Sequence, residues 1–202
     1  MLKAEGLAAF RGERLVFRDL SFAVSPGQAL VLAGPNGSGK STLLRLLAGL
    51  GRAAAGRLLW DGQDALADRG AHAGRVACVG HLDAIKPGLT VAENLTFAAG
   101  LEPASPGSGL VAAALQALGL TDLADLPARM LSAGQKRRLA LSRLALTTAP
   151  LWLLDEPTLG LDTASIGRFG GVLAAHRDRG GIVIAATHIP LPLADVKELR
   201  LA

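Results

Sequence analysis

The chain has 202 residues, 50% hydrophobic and 19% charged, which is material for one domain with a real core rather than a disordered tail. Its single Cys excludes an internal disulfide or a thiolate metal cage and points to a reducing compartment, while its 25 glycines follow no collagen-like period. Lys and Arg number 21 against 17 Asp and Glu, and a formal charge of +4 is too small and dispersed for a dedicated nucleic-acid binder.

In chain order, residues 2–9 and 15–24 read as short strands, and Ser25-Pro26-Gly27 turns the chain. The opening MLKAEGLAAFRGER carries charge inside any would-be apolar region, so no signal peptide is expected. QALVLAG enters as a near-continuous apolar strand, of the kind buried on both faces. After a glycine-rich turn, STLLRLLAGL reads as a helix closed by Gly49 and Gly51. RLLWDG predicts a further strand and turn, and VACVG a second buried strand with Cys78 as a small buried hydrophobe. From 90 to 147 the pattern is helical: VAENLTFAA, GLVAAALQAL, LADLPARM and SAGQKRRLALSRLAL, divided by Pro103, Pro106 and glycines. Strand character returns at LWLLD and GIVIAAT, with a crossover helix TASIGRFGGVLAAHRDR between them. Together these predict an α/β domain carrying a small helical lobe at about 88–145. Lys136, Arg137, Arg138 and Arg143 read as a solvated helix face, and His72 and His176 as structural. Every apolar stretch is interrupted before the roughly 20 residues a bilayer needs, so no membrane crossing is expected.

The chemistry concentrates in three places. Gly34-Pro35-Asn36-Gly37-Ser38-Gly39-Lys40-Ser41-Thr42 is a complete P-loop pattern between a predicted strand and a predicted helix. Its glycines let consecutive N–H groups turn toward one anion, and the helix N-terminus adds its own unpaired donors. Lys40 is expected at the β- and γ-phosphates, the Ser41 hydroxyl on Mg2+, and Thr42 near the α-phosphate. The run LWLLDEP delivers Asp155 and Glu156 to the carboxyl end of a buried strand. Two adjacent acids there repel unless cation and phosphate chemistry requires them, with Asp155 on Mg2+ through water and Glu156 polarising the attacking water. His188 ends the strand IVIAAT, where a donor to the γ-phosphate is expected.

With the P-loop, Leu131-Ser132-Ala133-Gly134-Gln135, LLDEP, Gly160-Leu161-Asp162 and His188 in this order, the whole chain resembles the ATP-binding cassette (ABC) family. The resemblance implies a P-loop NTPase domain over 1–202, with an N-terminal antiparallel β subdomain, a core at about 1–87 and 146–202, and the helical lobe between. It further implies a head-to-tail dimer of two copies with ATP and Mg2+ between them. Ser132, Gly134 and Gln135 would then act in trans, Asp162 would be the dimer-crossing D-loop residue, and Phe10 would stack on adenine. Two departures stand out. The family's glutamine after the second core strand is replaced by His81, a further candidate toward the metal, and Ala133 takes a position where glycine is commonest.

Gly80-His81, Ile85-Lys86, Leu89-Thr90, Glu93-Asn94-Leu95 and LSAGQKRRLALSRL, with an end at 202 and no appended regulatory domain, narrow the resemblance. They look like the small ATP-binding subunits of haem-exporter-type transporters in bacterial cytochrome c maturation. That implies a peripheral subunit on the cytoplasmic face of the inner membrane, paired with an integral membrane permease, whose hydrolysis is coupled to haem delivery or haem-chaperone release. No CxxCH or axial pair is seen, so neither direct haem binding nor nucleic-acid binding is expected. The alternatives are the ATP-binding subunit of another ABC transporter and a soluble ABC ATPase acting on nucleic acid.

Overall fold

Five parallel strands form the spine of the structure, a computed structural model that describes residues 1–101 and 109–201. Pro103 and Pro106, expected to divide two helices, lie outside the described residues. An antiparallel sheet comes first in the chain. Strands β1 (Leu2–Arg11) and β2 (Arg14–Val24) form a hairpin, and β1 also pairs with β4 (Ala55–Trp60), which pairs with β5 (Gln63–Asp64). The parallel sheet is assembled from β3 (Ala29–Ala33), β6 (Val76–Val79), β7 (Leu151–Asp155), β8 (Ile182–Ala186) and β9 (Val196–Arg200), in the order β6-β7-β8-β3-β9.

Alternation along the central strands explains the layering. Leu151 and Leu153 of β7, Ile182 and Ile184 of β8, and Leu30 and Leu32 of β3 enter one core, shared with the antiparallel sheet and helix α1 (Lys40–Leu47). Trp152, Leu154, Val183 and Ala185 enter the opposite core. There they meet residues of α3 (Val91–Ala99), α4 (Gly109–Ala117), α5 (Ala133–Ser142) and α6 (Thr163–Asp178). Side chains of period two on a strand covered on both faces must all be apolar, which is why LWLL and IVIAA contain no polar residue.

A short helix α2 (Arg69–Ala73), capped by Asp68, and the two-residue strand β5 lie where no element was expected. Residues 123–130 differ from the helix expected of LADLPARM: a 3-10 turn at Thr121–Leu123 ends where the segment begins, and a second at Ala128–Met130 closes it. Pro127 has no N–H to continue a helix and disfavours helical backbone at Leu126, whose carbonyl instead accepts from the Val91 N–H. Cys78 is also a correction. β6 is the sheet's edge strand, so its alternate residue Val79 is buried while Cys78 is exposed. It faces an open groove with Leu44, Leu82 and Leu153, whose desolvation pushes the thiol up to about 11.

Both structural histidines are buried. His72 shares its Nε2 with the Leu47 carbonyl at 2.8 Å. His176 stacks on Trp152 with ring centroids 3.7 Å apart and shares its Nε2 with the Ile182 carbonyl at 3.3 Å. Desolvation lowers His176 to about 4 from the ordinary 6.5. Because the unfolded chain takes up this proton near pH 6.5 and the folded chain does not until about pH 4, stability falls as pH falls through that window. The urea midpoint is therefore expected to decline between pH 7 and pH 4.5, and His176→Phe, which keeps a ring on Trp152, is expected to reduce that decline.

Candidate active site

The carboxyl ends of β3, β6, β7 and β8 lie on one edge of the sheet, and each carries residues that the sequence singled out. The loop after β3 is shaped by Gly34, Gly37 and Gly39, all at positive φ (141°, 86° and 96°). Gly34 is also confined by space, since a Cβ there would lie 2.3 Å from the Leu201 carbonyl oxygen. Gly39 precedes α1 with no side-chain cap, which leaves the first-turn N–H groups of Lys40, Ser41 and Thr42 pointing out of the helix. Ser38 Oγ is buried and has no hydrogen-bond partner among the described residues.

Lys40 is the most telling residue of the loop. Only 8% exposed, it donates from Nζ to the carbonyls of Gly34 (2.7 Å) and Pro35 (3.1 Å). Among the described residues its ammonium meets no carboxylate. A nearly buried cation held only by neutral carbonyls at the mouth of an N–H-lined loop is a site prepared for an anion.

Asn36, Gly37, Gly39, Lys40, Ser41 and Thr42 line a cleft of about 270 Å³, and His81, Asp155 and Glu156 line it from the neighbouring strand ends. Asp155 continues the odd-numbered alternation of β7, the face that packs toward α1, so a carboxylate and the Ser41 hydroxyl share the cleft. Glu156 breaks the strand: its φ is +46°, and its N–H donates to the Ala186 carbonyl at 2.8 Å. His188 emerges from β8 beside it. Its Nε2 lies 3.2 Å from Asn36 Oδ1 and 3.7 Å from Glu156 Oε1, while its own N–H reaches Glu156 Oε2 at 3.4 Å. One imidazole thus joins the loop after β3 to the acid after β7.

The remaining predicted residues lie outside this cleft. Ser132 caps α5, accepting from the Gln135 N–H at 3.3 Å while the Gln135 side chain accepts from the Ser132 N–H at 2.8 Å. Gly134 packs on the Gly160 loop, where a Cβ would come 2.9 Å from the Gly160 oxygen. Asp162 caps α6 by accepting from the Ser165 N–H at 2.7 Å, a bond that holds its carboxyl below the usual range. Phe10 is 54% exposed at the end of the β1–β2 hairpin, and the adjoining Arg11 and Val16 line the cleft. Neither was foreseen, and nothing in the spacing of FRGERLV marks them.

A solvated face is overturned for Arg137 and Arg138 of α5 and for Arg143 in the turn after it, while Lys136 is half-buried. Arg137 is 6% exposed and binds carbonyls after β6 and β7. Arg138 donates to the carbonyls of Leu118 and Gly119 after α4. Arg143 donates to Asp83 and Ala84. Their donors satisfy loop carbonyls that helix packing leaves without partners.

The sequence pattern of the ABC transporter family matches residues 17–159, which include the loop after β3, α5 and both acids. The chain belongs to the ABC transporter family. Within it, the chain is 57% identical over 197 residues to the Cytochrome c biogenesis ATP-binding export protein CcmA of Rhodospirillum rubrum, covering 96% of this chain and 84% of that protein. It is 49% identical over 201 residues to the protein of the same name from Gluconobacter oxydans, covering 100% and 87%. The fold is that of an ATP-binding cassette, which was solved as a dimer after hydrolysis with ADP and phosphate bound, at a TM-score of 0.85 and 22% identity over 100% of this chain and 94% of that one.

In this ABC domain the chemistry of the cleft fits a magnesium nucleotide. Its donors are backbone N–H groups and one ammonium for phosphates, with hydroxyl and carboxylate oxygens for a hard cation. Replacing Gly34 by Ala is expected to weaken Mg·ATP binding by about tenfold or more, some 1.4 kcal/mol, in a fluorescence titration. Full affinity would show that the loop tolerates a side chain at that approach.

Proposed function

We propose that this ABC domain is the ATP-hydrolysing subunit of a membrane complex for c-type cytochrome biogenesis. The buried, carbonyl-bound ammonium of Lys40 carries the nucleotide reading. The role of the two relatives at 57% and 49% identity in cytochrome c biogenesis supports the pathway.

The residues divide the work as follows. The N–H groups of Gly37, Gly39 and the first turn of α1 bind phosphate oxygens, and Lys40 exchanges its carbonyl partners for the β- and γ-phosphates. Ser41 and Asp155 would hold Mg2+, which would supply charge neutralisation for the phosphates. Glu156 orients and polarises the attacking water. His188, already between Glu156 and Asn36, donates to the γ-phosphate as its charge develops. Phe10 lies beside the base, next to the cleft-lining Arg11.

A second copy in head-to-tail arrangement supplies Ser132, Gly134, Gln135 and Asp162. The internal capping box of Ser132 and Gln135 supports this, because it presents an already ordered helix N-terminus to an approaching γ-phosphate. Closure excludes all but the reacting water, and the charge of ADP and phosphate together favours reopening.

Among the described residues no helix is long and apolar enough to cross a membrane. The role of the relatives as export proteins supports attachment to an integral permease subunit, with the domain on the cytoplasmic face of the inner membrane. The segment 81–89 and the helical lobe carry the movement to it. Asn94 of α3 welds the two, accepting from the Lys86 N–H at 2.9 Å and donating to the Lys86 and Thr90 carbonyls at 3.0 and 2.9 Å. Hydrolysis there drives haem delivery or release of a haem chaperone.

Lys40→Ala is expected to abolish hydrolysis, and Glu156→Gln to retain Mg·ATP binding while losing about 10²- to 10⁴-fold in turnover. Purification of the tagged chain from mildly solubilised native membranes, with mass-spectrometric identification of partners, tests the pathway. Cytochrome c maturation membrane proteins are expected, and recovery of another permease would keep the ATPase assignment and replace the haem one.

A further inference from the structure

The guanidinium of Arg137 is surrounded by five acceptors, one for each N–H it carries. Nη2 donates to the carbonyls of Asp155 (2.7 Å) and Glu156 (2.8 Å), and Nε to the carbonyl of Pro157 (3.1 Å). Nη1 donates to the Gly80 carbonyl and to Asp83 Oδ1, both at 2.9 Å. Three consecutive carbonyls around Glu156 are therefore held by one side chain from the helix that Ser132 caps.

Those carbonyls need holding. Glu156 is a non-glycine residue at φ +46°, a left-handed conformation that is strained for an L-residue. Such a backbone persists when its surroundings over-determine it. Arg137 supplies that constraint at the residue whose carboxylate faces the cleft, and its Gly80 bond fixes the residue just before His81. Arg143 steadies the same loop by donating to the Asp83 carbonyl at 2.7 Å.

We infer that Arg137 is a positioning residue that aims Glu156 by holding the 155–157 carbonyls, and thereby ties the direction of that carboxylate to the placement of α5. The inference rests on the proposed role of Glu156 in hydrolysis. Lysine cannot replace the arginine, because a single ammonium with three donors cannot span three carbonyls and a separate loop. The ion pair with Asp83, whose side chain is 27% exposed, is the lesser part.

The test compares Arg137→Lys and Asp83→Asn in the full chain, reading steady-state ATP hydrolysis, Mg·ATP affinity and backbone hydrogen exchange. Arg137→Lys is expected to lower kcat by about tenfold or more with the Mg·ATP affinity within about twofold, because misplacing a reacting group acts on turnover. Exchange is expected to rise at 80–84 and 155–158 and to stay unchanged at 34–42. Asp83→Asn keeps an acceptor without the charge and is expected to lose less than threefold, roughly the worth of a partly exposed ion pair.

Wild-type turnover and local exchange in Arg137→Lys would overturn the inference. So would exchange raised throughout the chain with affinity and kcat falling together, the mark of a merely structural arginine. An equal loss in Asp83→Asn would move the effect from the carbonyls to the ion pair and overturn it too. If the wild-type chain hydrolyses no ATP while binding it, the functional reading fails, and the exchange arm alone still decides whether Arg137 holds the turn.

Discussion

The two-sided burial of the parallel sheet is the constraint on which the rest depends. With apolar layers against both faces of β7 and β8, polar chemistry has no place along these strands and is displaced to their ends. Parallel pairing brings those ends to one edge, so the loop after β3, the acids after β7 and His188 after β8 become neighbours although their positions run from 34 to 188. The same rigidity lets a small loop carry a nearly buried cation, because the strand behind it and α1 in front of it do not yield.

Arginine does for the loops what apolar packing does for the strands. The loops after β6 and β7 expose carbonyls toward the helical lobe, and α5 and the turn after it answer with planar, multidonor groups rather than with hydrophobic side chains. A carbonyl-rich seam of this kind has directional bonds, whereas an oily one could slide. The lobe and the catalytic edge are joined by contacts with definite geometry, which suits a part that must report its position.

Most of the spine was legible because its signals are local. Glycines at fixed spacing before Lys40-Ser41 and four apolar residues before Asp155-Glu156 each imply one backbone course and one kind of ligand. His188 was legible by its place after a strand. What could not be read depended on which strand lies at the edge and which helix face meets a loop. Cys78 sits in an apolar run that looks interior, but β6 has a neighbour on one side only. Arg137, Arg138 and Arg143 look like a solvated face because charge alone says water, and their carbonyl partners come from residues as distant in sequence as Gly80. Arg11 and Val16 reach the cleft only because the hairpin folds over α1, a tertiary fact with no trace in their own spacing.

The left-handed backbone at Glu156 sets stability against function. Glycine or asparagine would occupy that turn with less strain, and against that strain the glutamate returns, among the described residues, only its long contacts to His188. Selection on the backbone of this turn alone would drift away from the acid. On the proposed reading, a copy altered at 156 would keep its fold and still compete for the same partners, and it is turnover that would keep the carboxylate in place.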